Sequence, residues 1–184
     1  MSFPGFEGRQ ILERDQLAAI VDRLGRAITR DHPDGVVLVG ILKGSVCLVA
    51  DLARSIAAPC AVDFLGLSPY GAGRARVKLS KDLDVDVAGR AVVVAVDIVD
   101  SGLTVSYVRR LLTERGARSA DVCALLDRKS RRLLPVEIRY SGLTIGDEYL
   151  VGYGLDLDER YRNLRELRVI DPALVRARGS EALA

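Results

Sequence analysis

Ala91-Val92-Val93-Val94-Ala95-Val96-Asp97-Ile98-Val99-Asp100-Ser101-Gly102-Leu103-Thr104 is the stretch whose reading decides the fold. Its unbroken apolar run, rich in β-branched residues, predicts a strand covered on both faces, as in parallel sheets. The run ends in two aspartates three apart, followed by Ser-Gly-Leu-Thr. Val105, Val108, Leu111 and Leu112 then share one face of a predicted helix, which Arg115-Gly116 stops. A strand that turns through small polar residues into a helix N-terminus offers free backbone N–H groups and the positive end of the helix dipole. Together these suit a phosphate. Ser101 and Thr104 could serve merely as helix caps. Capping alone does not call for two carboxylates beside the turn.

Composition narrows the classes. A chain of 184 residues, 49% of them hydrophobic, can bury one core, so residues 1–184 are expected to form a single domain. A net charge of +2 is too balanced for a dedicated nucleic-acid binder. No apolar run approaches the length of a membrane span, and the first residues lack a basic-then-apolar leader. The expectation is therefore a cytoplasmic protein with no membrane partner. Cys47, Cys60 and Cys123 are odd in number and sit in apolar stretches, reading as reduced core cysteines. The one histidine, His32, stands beside Pro33-Asp34-Gly35 in an expected turn, which argues against serine–histidine chemistry and histidine-rich zinc sites.

Upstream, Leu17, Ile20, Val21, Leu24 and Ile28 predict an amphipathic helix over about residues 14–31. Val36–Ile41 reads as a second buried strand. It runs through Leu42-Lys43-Gly44-Ser45 into a helix carrying Val46, Val49, Ala50, Leu52 and Ala53. Gly44 would let the backbone approach a ligand, and the lysine adds charge. This turn is weak as a motif alone and gains weight beside a second one. Ala61–Gly66 predicts a third strand. The connection from Leu67 to Leu83, rich in glycine and basic residues, reads as a lid or a disordered segment. Gly71-Ala72-Gly73 within it is no dinucleotide fingerprint, because no βα unit surrounds it. Ala120–Leu126 predicts another strand, ending in the basic cluster Asp127-Arg128-Lys129-Ser130-Arg131-Arg132. Such a run is by itself usually solvated surface. Here it falls at the carboxyl edge of the strands, where open α/β sheets bind ligands.

Val94–Thr104 resembles the phosphoribosyl-pyrophosphate loop of the purine phosphoribosyltransferases: two acids, two apolar residues, then Asp-Ser/Thr-Gly-x-Thr. Val96 stands where the first acid, usually glutamate, is found. Asp147-Glu148-Tyr149-Leu150-Val151-Gly152-Tyr153-Gly154-Leu155-Asp156, followed by Tyr161-Arg162-Asn163-Leu164, resembles the same family's base-binding hood. The resemblance covers most of residues 10–170 and points to the 6-oxopurine branch of the type I phosphoribosyltransferases. The tail beyond Pro172 is uninformative.

The resemblance implies an α/β fold, a doubly wound, mainly parallel twisted sheet flanked by helices. Its core would span about 33–130, with a small hood from the N-terminal segment and about 135–171. It implies transfer of the phosphoribosyl group from phosphoribosyl pyrophosphate to hypoxanthine or guanine, with xanthine possible and Mg2+ as cofactor. Asp100, Ser101, Gly102, Leu103 and Thr104 would bind the 5′-phosphate, and Asp100 would take the imidazole proton of the base. Asp97 would serve the ribose hydroxyls and the metal. Leu42, Lys43, Gly44 and Ser45, with a cis peptide before the lysine, would hold pyrophosphate together with Arg162. Arg128 occupies the place of a lysine that donates to the purine 6-oxygen, and Lys129 competes for that role. A cationic donor there favours a 6-carbonyl and opposes the amino group of adenine. Tyr149 would stack on the purine, the Leu150 backbone would read its edge, and Asp156 would hold magnesium beside the base. Pro69 and Tyr70 fall in the family's mobile catalytic loop, with Pro69 where serine is usual. A homodimer or homotetramer is implied. Val96, Pro69 and Arg128 also admit a divergent paralogue that senses a nucleotide or phosphoribosyl pyrophosphate with little turnover. A generic nucleotide-binding module would explain the central turn but not the segment from Tyr149 to Arg162.

Overall fold

The apolar run ending at Asp97 and Asp100 is a central strand of the larger of two sheets. The computed structural model describes residues 8–70, 76–171 and 173. The strands are β1 (Gly8–Leu12), β2 (Val36–Leu42), β3 (Cys60–Tyr70), β4 (Arg76–Lys81), β5 (Ala91–Val99), β6 (Ser119–Asp127), β7 (Tyr140–Thr144), β8 (Tyr149–Val151) and β9 (Leu167–Ile170). The helices are α1 (Arg14–Asp31), α2 (Val46–Ser55) and α3 (Leu103–Glu114). The larger sheet runs β4-β3-β2-β5-β6-β7, and β1-β9-β8 form a second, antiparallel sheet. Neighbours from β3 to β7 are parallel, and only β4 runs the other way. The register places Val94 beside Val39 and Val99 beside Asp127.

Side chains alternate across a strand, so β5 serves two cores. Val93 and Ala95 pack with Leu38, Leu48, Leu52, Cys123 and Leu125 on the side covered by α1 and α2. Val92, Val94 and Val96 pack with Val37, Val39, Val105, Val108 and Leu112 beneath α3. Each such side chain contributes about 1.5–3 kcal/mol by leaving water, which is why the run needs no polar residue until its end. The helix α1 has the bounds its spacing predicts. It opens with a reciprocal Glu13–Gln16 capping box and buries Leu17, Val21, Leu24 and Ile28. His32 caps its other end and is buried, with Nε2 3.1 Å from the Tyr140 hydroxyl and 3.5 Å from Asp121.

Three expectations change. The connection from Leu67 to Leu83 is largely an antiparallel ribbon: β3 continues to Tyr70, and β4 pairs with it, Pro69 opposite Val77 and Tyr70 opposite Arg76. Leu67, Leu79 and Leu83 pack on the α3-side core, and that anchors the ribbon. Residues 71–75 and the side chains of Pro69 and Tyr70 lie outside the described residues. β7, within the stretch expected for the hood, pairs with β6 in the larger sheet instead. Of the cysteines, all free, only Cys123 is fully interior, and burial pushes its thiol up to about 12; Cys47 and Cys60 are half-buried.

The hood is seated by Leu12, Leu150, Tyr153, Leu155 and Leu167, which join the α1/α2 core, while Val151, Leu157, Leu164 and Ile170 form its own small cluster. It thereby covers the carboxyl ends of β2 and β5. Among the described residues no helix is long and apolar enough to cross a membrane.

Candidate active site

At the end of β5 the chain turns through Asp100-Ser101-Gly102 into α3. Gly102 has φ +84°, and a Cβ there would lie 2.8 Å from the Leu134 carbonyl, so both backbone and space call for glycine. The Ser106 amide makes the helix's first return bond, to the Gly102 carbonyl at 3.0 Å. The amides of residues 103–105 thus have no carbonyl one turn back to bond, although Leu103 N–H reaches Ser101 Oγ at 3.4 Å. Leu103 and Thr104 are exposed, so this helix start is open to an anion. The turn is braced from behind. Arg132 Nε donates to the Asp100 carbonyl at 2.9 Å, and the Leu133 and Leu134 amides donate to the Ser101 carbonyl at 2.9 and 3.1 Å. Arg132 is itself ion-paired with buried Asp127. Sequence reading missed Arg132, because a basic run looks the same whether it is solvated or bracing a loop.

The second turn lies alongside. The Leu42–Lys43 peptide is cis, as the resemblance implied. Ser45 is wholly buried, and its hydroxyl donates to the Ile41 carbonyl at 2.7 Å, so this side chain closes the loop. A Cβ on Gly44 would fall inside the Asp97 carboxylate, and one on Gly154 would strike the Gly44 carbonyl. Three segments therefore meet at one glycine. Burial pushes the Asp97 carboxyl above the ordinary range; the Ile98 amide and Arg162 pull it back, and the charge of Asp156 adds to the rise. Val96 points the other way, 3% exposed, into the core under α3. Where the family usually has glutamate, this chain has a packing residue.

From the hood, Gly152, Tyr153 and Gly154 curl over with φ of +100°, +46° and +99°. The curl is pinned by the Tyr153 hydroxyl, which donates to Asp51 at 2.6 Å, and by Arg162 Nη1, which donates to the Gly154 carbonyl at 2.8 Å. Arg162 Nη2 lies 2.9 Å from Asp156 Oδ1 and donates to Glu159 Oε2 at 3.3 Å. Lys43 Nζ donates to the same Glu159 oxygen at 2.9 Å. Lys43 first, and Arg162 second, hold the Glu159 carboxyl below its usual range. The other Asp156 oxygen accepts the Glu159 amide at 2.9 Å. Glu159 was not anticipated. Its three-residue spacing to both Asp156 and Arg162 was the available signal. Arg162 Nε is buried without a partner among the described residues.

Between hood and sheet lies a cavity of about 230 Å³ lined by Ile98, Asp100, Arg128, Arg131, Tyr149, Leu150, Leu155 and Asp156. Ile98, Arg131 and Leu155 are additions to the expected set. Buried Arg128 donates from Nε to the Gly146 carbonyl at 3.0 Å and from Nη2 to the Glu148 carbonyl at 2.7 Å. Its Nη1 donates to Asp100 Oδ2 at 3.2 Å. Lys129 is exposed and lines a different cleft, beside Arg109 and Pro135. Asp100 Oδ1 is buried and lacks a partner among the described residues. The Tyr149 hydroxyl donates to the Asp156 carbonyl at 3.3 Å. A larger cleft, about 450 Å³ between Asp34, Cys60, Arg90 and Arg118, lies at the opposite edge of the strands, away from this chemistry.

A cavity lined by an acid and a guanidinium, beside two strand-to-helix turns at the carboxyl edge of a mainly parallel sheet, lies where α/β proteins of this architecture bind their ligands. Residues 7–159 match the phosphoribosyl transferase domain, and the chain belongs to that family. The hypoxanthine phosphoribosyltransferase of Salmonella typhimurium is 44% identical over 155 residues, 81% of this chain and 87% of that one. The hypoxanthine-guanine phosphoribosyltransferase of Mycobacterium tuberculosis is 40% identical over 180 residues, 92% and 89% of the two chains. The crystal structure of a hypoxanthine-guanine phosphoribosyltransferase from Bacillus anthracis superposes with a TM-score of 0.86 at 36% identity, covering 90% of this chain and all of that one.

Proposed function

We propose that this chain is a purine-salvage enzyme, transferring the phosphoribosyl group of phosphoribosyl pyrophosphate to hypoxanthine or guanine with release of pyrophosphate. One observation carries the reading: Asp100, with one carboxylate oxygen on Arg128, lines the same cavity as Arg128 and Tyr149. A purine held between Ile98 and Tyr149 with its 6-oxygen toward Arg128 would present its imidazole edge to the Asp100 carboxylate. Arg128 donates three of its five N–H groups to the protein, leaving two donors that suit a carbonyl and no acceptor for an exocyclic amino group.

The amides of Ser101–Thr104 would receive the 5′-phosphate, and Asp97 would face the ribose hydroxyls. Lys43 and Arg162 would exchange Glu159 for the pyrophosphate, their charges stabilising the negative charge that grows on the leaving oxygens. As the C1′–oxygen bond to pyrophosphate breaks and the bond from C1′ to the purine nitrogen forms, the imidazole proton would pass to the Asp100 carboxylate.

For Mg2+ the donor set fits. Asp97 and Asp156 would be its carboxylate ligands, close enough that the charge of Asp156 raises the Asp97 carboxyl. A hard cation held by one or two carboxylates and the substrate's own phosphates has this pattern. When bound, the ion supplies charge neutralisation at the pyrophosphate.

The test is to mix protein, Mg2+ and phosphoribosyl pyrophosphate with each of adenine, hypoxanthine, guanine and xanthine, and to follow nucleotide and pyrophosphate. Turnover with hypoxanthine or guanine is expected. Tight binding without turnover would overturn the reading in favour of a sensor.

A further inference from the structure

Arg132 lies behind the turn from Asp100 to Thr104, on a cleft that it shares with Asp127 and Lys129, and it does not line the cavity assigned to the base. Its guanidinium forks. Nε donates to the Asp100 carbonyl at 2.9 Å, while Nη2 pairs with the buried Asp127 carboxylate and reaches the Val99 carbonyl at 3.3 Å. The next two amides, of Leu133 and Leu134, donate to the Ser101 carbonyl. A trans peptide unit is planar, with its N–H opposed to its C=O. The Asp100 and Ser101 carbonyls are thus drawn to the back of the turn, and the N–H groups on the same two peptide units, of Ser101 and Gly102, are aimed away from the brace. The same short segment meets Asp100 at a second point. Arg128, one 3-10 turn (Lys129–Arg131) earlier, holds its carboxylate.

We propose that Arg132 is a positioning residue for the sugar-phosphate donor: by holding the Asp100 carbonyl it aims the amides of the turn at the 5′-phosphate, and Asp127 holds Arg132 in place. The inference rests on the reading given above, in which this turn receives the 5′-phosphate. The pyrophosphate end is assigned to Lys43 and Arg162, whose bonds run to Glu159, Asp156 and the Gly154 carbonyl and not to the brace. Loss of Arg132 therefore weakens one end of the donor and spares the other, a separation that general loosening of the fold does not produce.

The test measures ribose 5-phosphate and pyrophosphate, each with Mg2+, as separate ligands by calorimetry. Arg132→Gln removes the fork. Arg132→Lys keeps the charge and the pair with Asp127, but a single ammonium cannot reproduce the planar fork that spans carboxylate and carbonyl. The dissociation constant for ribose 5-phosphate should rise roughly 10-fold in Arg132→Gln and at least about threefold in Arg132→Lys, while that for pyrophosphate stays within about twofold in both. Arg132→Gln strands the buried Asp127 charge, so Arg132→Lys carries the test if the first variant does not fold. Unchanged ribose 5-phosphate binding, or equal weakening of both ligands in a folded variant, overturns the inference. So does parent-like binding by Arg132→Lys, which would make charge alone sufficient. These are binding measurements and stand apart from turnover. A parent protein that binds ribose 5-phosphate but forms no nucleotide fails the enzyme reading alone, whereas one that binds no ribose 5-phosphate removes both.

Discussion

The carboxylate of Asp97 occupies the space that a side chain on Gly44 would need. Each residue thus constrains the other, Gly44 from the turn that follows β2 and Asp97 from β5. Gly44→Ala should destabilise the protein by about 1–3 kcal/mol, the range for overpacking a filled site. In an Asp97→Ala background the same change should cost much less, because the obstructing group is gone. A double-mutant cycle in urea measures the coupling; additive effects would mean that the two residues do not compete for the same space.

Asp97 also sets a pH dependence. Its carboxyl is raised in the folded protein, chiefly by burial. Below the ordinary aspartate range, about pH 4, both folded and unfolded chains carry the proton and the residue is neutral in effect. As pH rises, the unfolded chain releases its proton first, and stability is lost until the raised folded value is passed. Asp97→Asn cannot ionise, so its melting temperature should match the parent's in acid and exceed it progressively toward neutral pH. A gap that widened on acidification instead would contradict the shift.

Asp100→Asn should cut kcat by roughly 10²–10⁴, the usual yield of a general base. Arg128 should remain buried, since Gly146 and Glu148 still hold it. Steady-state rates with hypoxanthine at saturating phosphoribosyl pyrophosphate decide the matter; turnover near the parent's would remove Asp100 from the proton-transfer role.

Glu159 bridges the two cations assigned to pyrophosphate, so it competes with that ligand. Exposed ion pairs are weak, and Glu159→Gln should therefore tighten product inhibition by pyrophosphate only by a factor of roughly two to five. The KM for the base should not move. Weaker inhibition in the variant would show that Glu159 helps the pyrophosphate instead of standing in its place.

Much of this was legible in the chain because burial writes periodicity. Val92–Val99 could only be a doubly covered strand, and Leu17 to Ile28 could only be one helix face. The turns at Lys43 and Ser101 followed from small polar residues placed after such strands. What stayed hidden had no period to betray it. β4 was obscured because glycines and basic residues around 71–76 mask the alternation that Leu67 and Leu79 carry. Glu159 and Arg132 look like ordinary surface charges until the chain folds back on them. Val96 was legible as a departure, but only the alternation of β5 in three dimensions shows that it faces α3 and not the ligand side.

The alternation of β5 has a further consequence for how the gene can change. Deleting one codon between Val92 and Val96 would rotate the downstream part of the strand by one step, turning Asp97 toward the oily layer beneath α3 and pulling Asp100 out of line with Arg128. Losing or gaining a codon within residues 82–90, ahead of the strand, leaves that phase untouched. Tolerance to length variation should therefore drop sharply on crossing into β5, even though its individual valines can be exchanged for one another's close relatives.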